Sequence, residues 1–399
     1  MSLLNIEEPA PARPAPWGTS HPIWRLGFRP FYLVAAVFAA LSIPLWVAQY
    51  YGWINAGAHI TLGWHMHEMV FGMSTAVVIG FLFTAGRNWT NLWTPREGHL
   101  AALVALWLAG RVAMAWAPPL AAAVVDWAFL PAAAWPLFVV MKKSNNKRNY
   151  FLVGLLSLLA VANGVYHAIV LGLLDLAPAV PAQAAVLVIV VMESAIGTRV
   201  IPMFTRNGAP GSTPAVHPKR DMVSIALLVA AGLSWIAGLP VWLVAPLGGG
   251  AATMVLVRLI EWQPHKTLRV PLLWILHLSY GWIAVGFFML SLAAMSLIPS
   301  SAAFHALTVG SMAGLILGMM TRTTMGHTGR PLKSGKAEVA IYVFIQLGAV
   351  LRVAAALVPG AGHDHLLICS ALCWTLAFAV FAVVYLPYLA KPRIDGREG

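Results

Sequence analysis

Read for hydropathy, the chain alternates long apolar runs with short polar joints. A helix that crosses ~30 Å of hydrocarbon needs about 20 apolar residues, and twelve such runs can be drawn along the sequence. They cover 31–51, 64–86, 99–116, 120–141, 150–173, 181–204, 222–238, 241–260, 271–298, 302–320, 337–357 and 365–389. The pattern predicts an all-α integral membrane protein of twelve transmembrane helices.

Basic residues occupy every second joint. Arg13, Arg25 and Arg29 precede helix 1, and Arg87 and Arg96 follow helix 2. Lys142, Lys143, Lys147 and Arg148 follow helix 4, Arg206, Lys219 and Arg220 follow helix 6, and Lys266 and Arg269 follow helix 8. Arg322, Arg330, Lys333 and Lys336 come after helix 10, and Lys391, Arg393 and Arg397 end the chain. The other joints hold no Lys or Arg. Because Lys and Arg mark the cytoplasmic side, the alternation predicts an even helix count with both termini cytoplasmic. The expected organisation is a cytoplasmic arm over 1–28, one transmembrane domain over 29–390 and a cytoplasmic tail over 391–399. The first twenty residues are rich in Pro and Ala and carry Glu7 and Glu8. They lack the basic segment and short apolar core of a cleaved signal peptide and are expected to be disordered.

Composition agrees with this reading. The 399 residues are 60% hydrophobic and 10% charged, with seventeen Trp, whereas soluble domains are about a quarter charged. The net charge of +12 would point to nucleic acid only if the basic residues gathered on one soluble face. They lie in short joints, so the excess reports topology and no nucleic-acid partner is expected. Cys369 and Cys373 sit four apart in an apolar run, with no CxxC or CxxCH. That excludes thiolate iron–sulfur clusters, c-type haem and cysteine zinc sites and leaves two small apolar residues on one helix face.

A weak internal echo joins helices 2, 6 and 10. Their ends read FLFTAGRN (81–88), PMFTRNG (202–208) and GMMTRTT (318–324), each with a Thr followed by an Arg within three residues. The interval of four helices would divide twelve into three pseudo-symmetric sets of four.

Ionisable residues inside the spans are costly and mark candidate function. Of the thirteen His, those at 21, 99, 217 and 265 fall in or beside cytoplasmic joints, and His59, His363 and His365 fall outside. His65, His67, His167 and His305 come from three helices yet are expected at one depth, toward the outer face. Four imidazoles at one level exceed what packing needs, and imidazole is a common ligand of transition metals and of haem. His277 and His327 form a second group toward the cytoplasm. On a helix, positions i and i+2 point about 200° apart. His65 and His67 therefore serve two cofactors on opposite sides of helix 2, or one ligates while the other supports it. Glu193, near mid-membrane in helix 6, is a proton carrier or a structural hydrogen-bonding group. Glu68 is a proton donor, a ligand or a partner of the helix dipole. Arg111 and Arg352 lie deep in their helices, each expected to pair with Asp126 or with a haem propionate, while Arg199 and Arg258 are placed to snorkel.

Several blocks are specific enough to show a resemblance. RPF (29–31), WHMHEM…GF (64–81), NWT (88–90), RVIPMFT (199–205), LHLSYGW (276–282), FHALTVG…MMTRTTMGHTGRPL (304–332) and PRIDG (392–396) resemble the NnrS family across essentially the whole chain. The resemblance implies a bacterial inner-membrane protein that contains haem and copper and protects against nitric oxide and nitrosative stress. It lays the family's histidines on His65, His67, His277, His305 and His327, with His167 beside them. A looser likeness joins the chain to haem–copper oxidases and nitric oxide reductases, which have twelve core helices in a threefold arrangement and haem ligands on helices 2 and 10. His65 or His67 with His305 would match a bis-His haem there. The chain departs from those enzymes in having no His in helices 6 and 7, where they keep copper ligands; Glu193 stands in that region.

The expectation is therefore a quinol-dependent nitric oxide reductase of denitrification type, with one or two b-type haems and copper as a further metal. His65, His67 and His305 would hold haem, His167, His277 and His327 would complete metal sites, Arg111 and Arg352 would face propionates, and Glu68 and Glu193 would deliver protons. A metal or small-molecule transporter and a non-catalytic haem sensor or sink for nitric oxide are the alternatives.

Overall fold

The computed structural model describes residue 18 and residues 20–397. Most of the expected arm over 1–28 thus lies outside the described residues. Its last part makes a single 3-10 turn, Pro22–Trp24, capped by the His21 ring.

The described residues form helices α1 (Phe28–Tyr50), α2 (Leu62–Thr90), α3 (Glu97–Trp116), α4 (Pro119–Lys143), α5 (Tyr150–Val170) and α6 (Ala179–Gly208). After these come α7 (Pro218–Ile236), α8 (Val241–Glu261), α9 (Pro271–Ala294), α10 (Ser300–His327), α11 (Lys336–Leu357) and α12 (Ala361–Ala390). Among these residues, eleven helices are long and apolar enough to cross a membrane, which makes the chain a multi-pass membrane protein. The exception among the twelve expected spans is α7. It has 19 residues and puts Lys219, Arg220 and Asp221 in its first turn, so its apolar stretch falls short of the others. Arg220 is tied there to Glu261 at the end of α8, with Nη1 donating to Oε1 at 2.6 Å.

The packing repeats at intervals of four helices. α1 packs on α2 and α12, α5 on α6 and α4, and α9 on α10 and α8. The pairs α3–α4, α7–α8 and α11–α12 also pack together. The most enclosed spans are α2 and α10, with 83% of each span buried against 33% for α5 and α8. Polar groups needed in the interior can therefore sit on these two helices without meeting lipid.

Both central helices leave α geometry at equivalent points. A π-helical stretch over Glu68–Ser74 follows His67, and another over Ala306–Ala313 follows His305. A π turn takes in an extra residue and rotates the remainder of the helix, and such turns recur at functional sites. Each stretch contains a glycine where another side chain crosses close by. A Cβ on Gly72 would press on the Arg111 guanidinium and lie 3.1 Å from Glu68 Oε2, and one on Gly310 would enter the Trp282 ring.

The two chain ends meet at the end of the bundle opposite His65. Arg29, buried in the first turn of α1, donates from Nη1 to the carbonyls of Leu389 and Lys391, both at 2.8 Å. Beyond α12 the chain docks on the loop after α10. Ile394 N donates to Thr328 O at 3.2 Å, and Arg393 donates to His327 O at 3.1 Å and to both oxygens of Asp395. The Arg393 guanidinium holds the Asp395 carboxyl well below the usual carboxylate range.

Candidate functional site

His65 and His67 occupy one helical turn but face different surroundings, as their ~200° separation requires. The four histidines expected at one depth divide accordingly. His65 and His305 line one cavity, while His67 and His167 join a polar cluster on the other side of α2.

The cavity is about 300 Å³ and lies among α1, α2, α6, α10, α11 and α12. His65 is stacked on Trp46 with ring centroids 4.0 Å apart, and its Nδ1 is buried with no hydrogen-bond partner among the described residues. His305 reaches the cavity from the second turn of α10. Its Nδ1–H donates to Ser301 O at 2.6 Å, which leaves the Nε2 lone pair free for a ligand bond. Arg352 lines the same space, and its Nη1 is buried without a hydrogen-bond partner among the described residues. The remaining wall is mostly apolar, with Met66, Met69, Met73 and Met312 prominent beside Gln183, Thr308 and four serines. Methionines are flexible and fill irregular gaps, so such a wall can adapt to an occupant.

The cluster joins α2, α3, α4 and α5. Asp126 in α4 is its hub. Its Oδ2 accepts from Asn163 Nδ2 at 2.8 Å and lies 2.9 Å from His167 Nε2 and 3.1 Å from His67 Nε2. Arg111 pairs with Asp126 Oδ1 through Nη2 and with Glu68 Oε2 through Nη1, the latter at 2.6 Å. Glu68 Oε1 lies 2.9 Å from His67 Nδ1. All six residues are buried. Isolated charges could not be held in a membrane interior, and here each is paired and hydrogen-bonded.

These contacts sort the residues singled out by sequence. Arg111 has the Asp126 partner that was one of its two expected ones, so it is turned away from the cavity. Glu68 is likewise committed to His67 and Arg111. Glu193 faces a separate chamber of about 100 Å³ lined by Tyr32, Val77, Phe81, Met192, Leu276 and Ile316, among others. It accepts one hydrogen bond, from Ser311 Oγ at 3.1 Å. Met312 lines both chambers and accepts a hydrogen bond from Ser74 Oγ at 3.0 Å. His277 and His327 join neither histidine pair. His277 Nε2 is 2.8 Å from Thr205 Oγ1, and its Nδ1 is unpartnered among the described residues. The His327 ring leans on Phe28, with centroids 5.7 Å apart.

Sequence reasoning passed over Asn163, a neutral residue with no motif around it, although its place four residues before His167 on α5 puts both on one helix face. It also expected Arg258 to snorkel. Arg258 is instead buried beside Asp221, with Nε 3.0 Å from Oδ1, and donates to Ser194 and Ser224.

A search among curated proteins finds no match to this chain. The family model described as NnrS protein matches residues 22–393, nearly the full length. The chain therefore belongs to the NnrS family, a family of membrane proteins of the nitric oxide response.

Proposed function

We propose that the protein is a haem-bearing inner-membrane nitric oxide reductase, with the haem in the cavity between α2 and α10. One observation carries this reading: His65 and His305 reach a single cavity from the two most enclosed helices, beside Arg352, whose Nη1 has no hydrogen-bond partner among the described residues. The donor set fits the group. Two neutral imidazoles can ligate the iron from α2 and α10, and Arg352 can meet a propionate that would otherwise leave its Nη1 orphaned. A cavity of about 300 Å³ is at the lower end of the ~300–1,000 Å³ usual for small-molecule sites, so the four methionine side chains must give way to a macrocycle.

Haem, when bound, would supply the one-electron redox chemistry for nitric oxide reduction, and nitric oxide would need the position on the iron that one of the two imidazoles gives up. The residues supply the rest. Two NO, two electrons and two protons give one N2O and one water. Glu193 brings protons toward the cavity through the chamber it shares across Met312. Glu68 acts on His67 and not on the cavity. The apolar wall admits a gas that partitions into lipid. Quinol in the same membrane is the electron donor.

In this reading α7 is the twelfth span, both termini are cytoplasmic, and residues 29–390 work as one transmembrane unit. The recurrence of neighbours at four-helix intervals supports a threefold arrangement like that of haem–copper oxidases, although the π turns mark α2 and α10 and not α6. The test is anaerobic nitric oxide consumption by purified protein with a quinol donor, followed by N2O measurement and a reduced-minus-oxidised spectrum. A b-type spectrum with N2O production supports the proposal. Haem with nitric oxide binding but no N2O reduces it to a sink, and absence of haem rejects it.

A further inference from the structure

We infer that His67, Asp126 and His167 form a metal-binding site for one first-row transition-metal ion, separate from the cavity that holds His65 and His305. His67 Nε2, Asp126 Oδ2 and His167 Nε2 lie within 4.8 Å of one another, all buried. Tetrahedral coordination with bonds of ~2.0–2.2 Å sets ligand atoms roughly 3.3 Å apart. The Asp126 oxygen is 3.1 Å from one ring nitrogen and 2.9 Å from the other, so an outward shift of a few tenths of an ångström admits the ion.

The proton inventory points the same way. His67 Nδ1 faces Glu68 Oε1, an acceptor, at 2.9 Å, so a proton on Nδ1 is used there and Nε2 carries either a second proton or a lone pair open to a metal ion. Nε2 faces two further acceptors, Asp126 Oδ2 and Asn163 Oδ1, the latter at 2.9 Å. Asn163 cannot be turned to help, since its Nδ2 donates to Asp126. Acceptor atoms therefore converge on Nε2, and the positive centre they call for is a second ring proton in the empty site and a metal ion in the loaded one. The charges agree, because Glu68 and Asp126 outnumber Arg111 by one. Glu68 behind His67 is the carboxylate–histidine support that metal ligands commonly have. Imidazole and carboxylate ligation suits zinc, copper, iron and nickel.

The experiment uses full-length protein, stripped with chelator and titrated with Co2+, whose visible bands report tetrahedral ligation; Zn2+ then competes, and metal per chain is counted by mass spectrometry. We expect one ion per chain in the wild type, binding weakened about tenfold or more in His167→Ala and His167→Asn, and unchanged binding in His305→Ala. A wild-type protein that takes up no stoichiometric ion overturns the inference, as does equal affinity in the His167 variants; the positive centre is then a shared proton. The wild-type titration decides the matter even where neither His167 variant folds, and His305→Ala separates this site from the cavity.

Discussion

His65 and His67 stand two residues apart on α2 and belong to different chemical environments: the His65 ring lies parallel to Trp46 at 4.0 Å, and the His67 ring lies 5.3 Å from His167. Their alanine variants should accordingly fail in different ways. His65→Ala, like His305→Ala, should lose the haem absorbance of the purified protein. His67→Ala should keep that absorbance. Visible spectra of the three variants at matched protein concentration check this, and equal haem loss in His67→Ala would contradict the division.

Arg111 bridges Glu68 and Asp126 in a buried position. Removing one member of a buried ion pair costs about 3–5 kcal/mol because the remaining charge is left unpaired. Arg111→Ala should therefore lower the thermal midpoint in detergent sharply. Arg111→Lys should rescue little, since an ammonium cannot reach both carboxylates as the planar guanidinium does.

The glycines of the two π turns are predicted to resist even a methyl group. In Gly310→Ala the new Cβ would sit 2.9 Å from Trp282 Cε3, and overpacking of this kind costs about 1–3 kcal/mol. Trp282 would also strain its hydrogen bond to Gln346, now 2.8 Å. Gly154→Ala is the control, because open space surrounds that position and alanine favours a helix by about 0.8–1 kcal/mol over glycine. Thermal melts should show destabilisation in the first and none in the second.

Glu193 has a hydrogen bond from Ser311 and an apolar chamber around it. Glu193→Gln keeps the shape and removes the titratable proton. Nitric oxide turnover should fall about 10²-fold or more, the usual worth of a positioned proton donor, while the haem spectrum stays unchanged. Undiminished turnover would remove Glu193 from the proton route.

Much of this was legible in the amino-acid sequence. Apolar run lengths marked the helices because span length is set by the bilayer, and the run at 222–238 was the one weakened by the charges just before it. The i, i+2 spacing of His65 and His67 already required two faces. For Arg111 the sequence left two partners open, Asp126 and a haem propionate, because depth demands a counter-charge without saying which. The π turns were not legible, since they form where Arg111 and Trp282 cross Gly72 and Gly310, and those crossings are set by tertiary packing. Arg258 and Asp221 were also missed. They are 37 positions apart, and nothing local says that one buries the other. Depth along a helix likewise could not say which of four level histidines share a pocket, because that depends on how α5 and α10 are arranged around α2.

The clasp between Arg29 and the carbonyls of Leu389 and Lys391 bears on the order of assembly. All residues of the His67 cluster are present once residue 167 has been synthesised, before the second half of the chain exists. The cavity that holds His65 is lined by residues up to Trp374 in α12, and the clasp at the far end of that helix waits for residue 391. A metal ion can thus enter during translation, whereas the larger cofactor has a complete berth only after the ribosome has almost finished. A truncation before α12, which removes Leu367, Ser370, Ala371 and Trp374 from the cavity wall, should yield chains that mature at the first site and stall at the second.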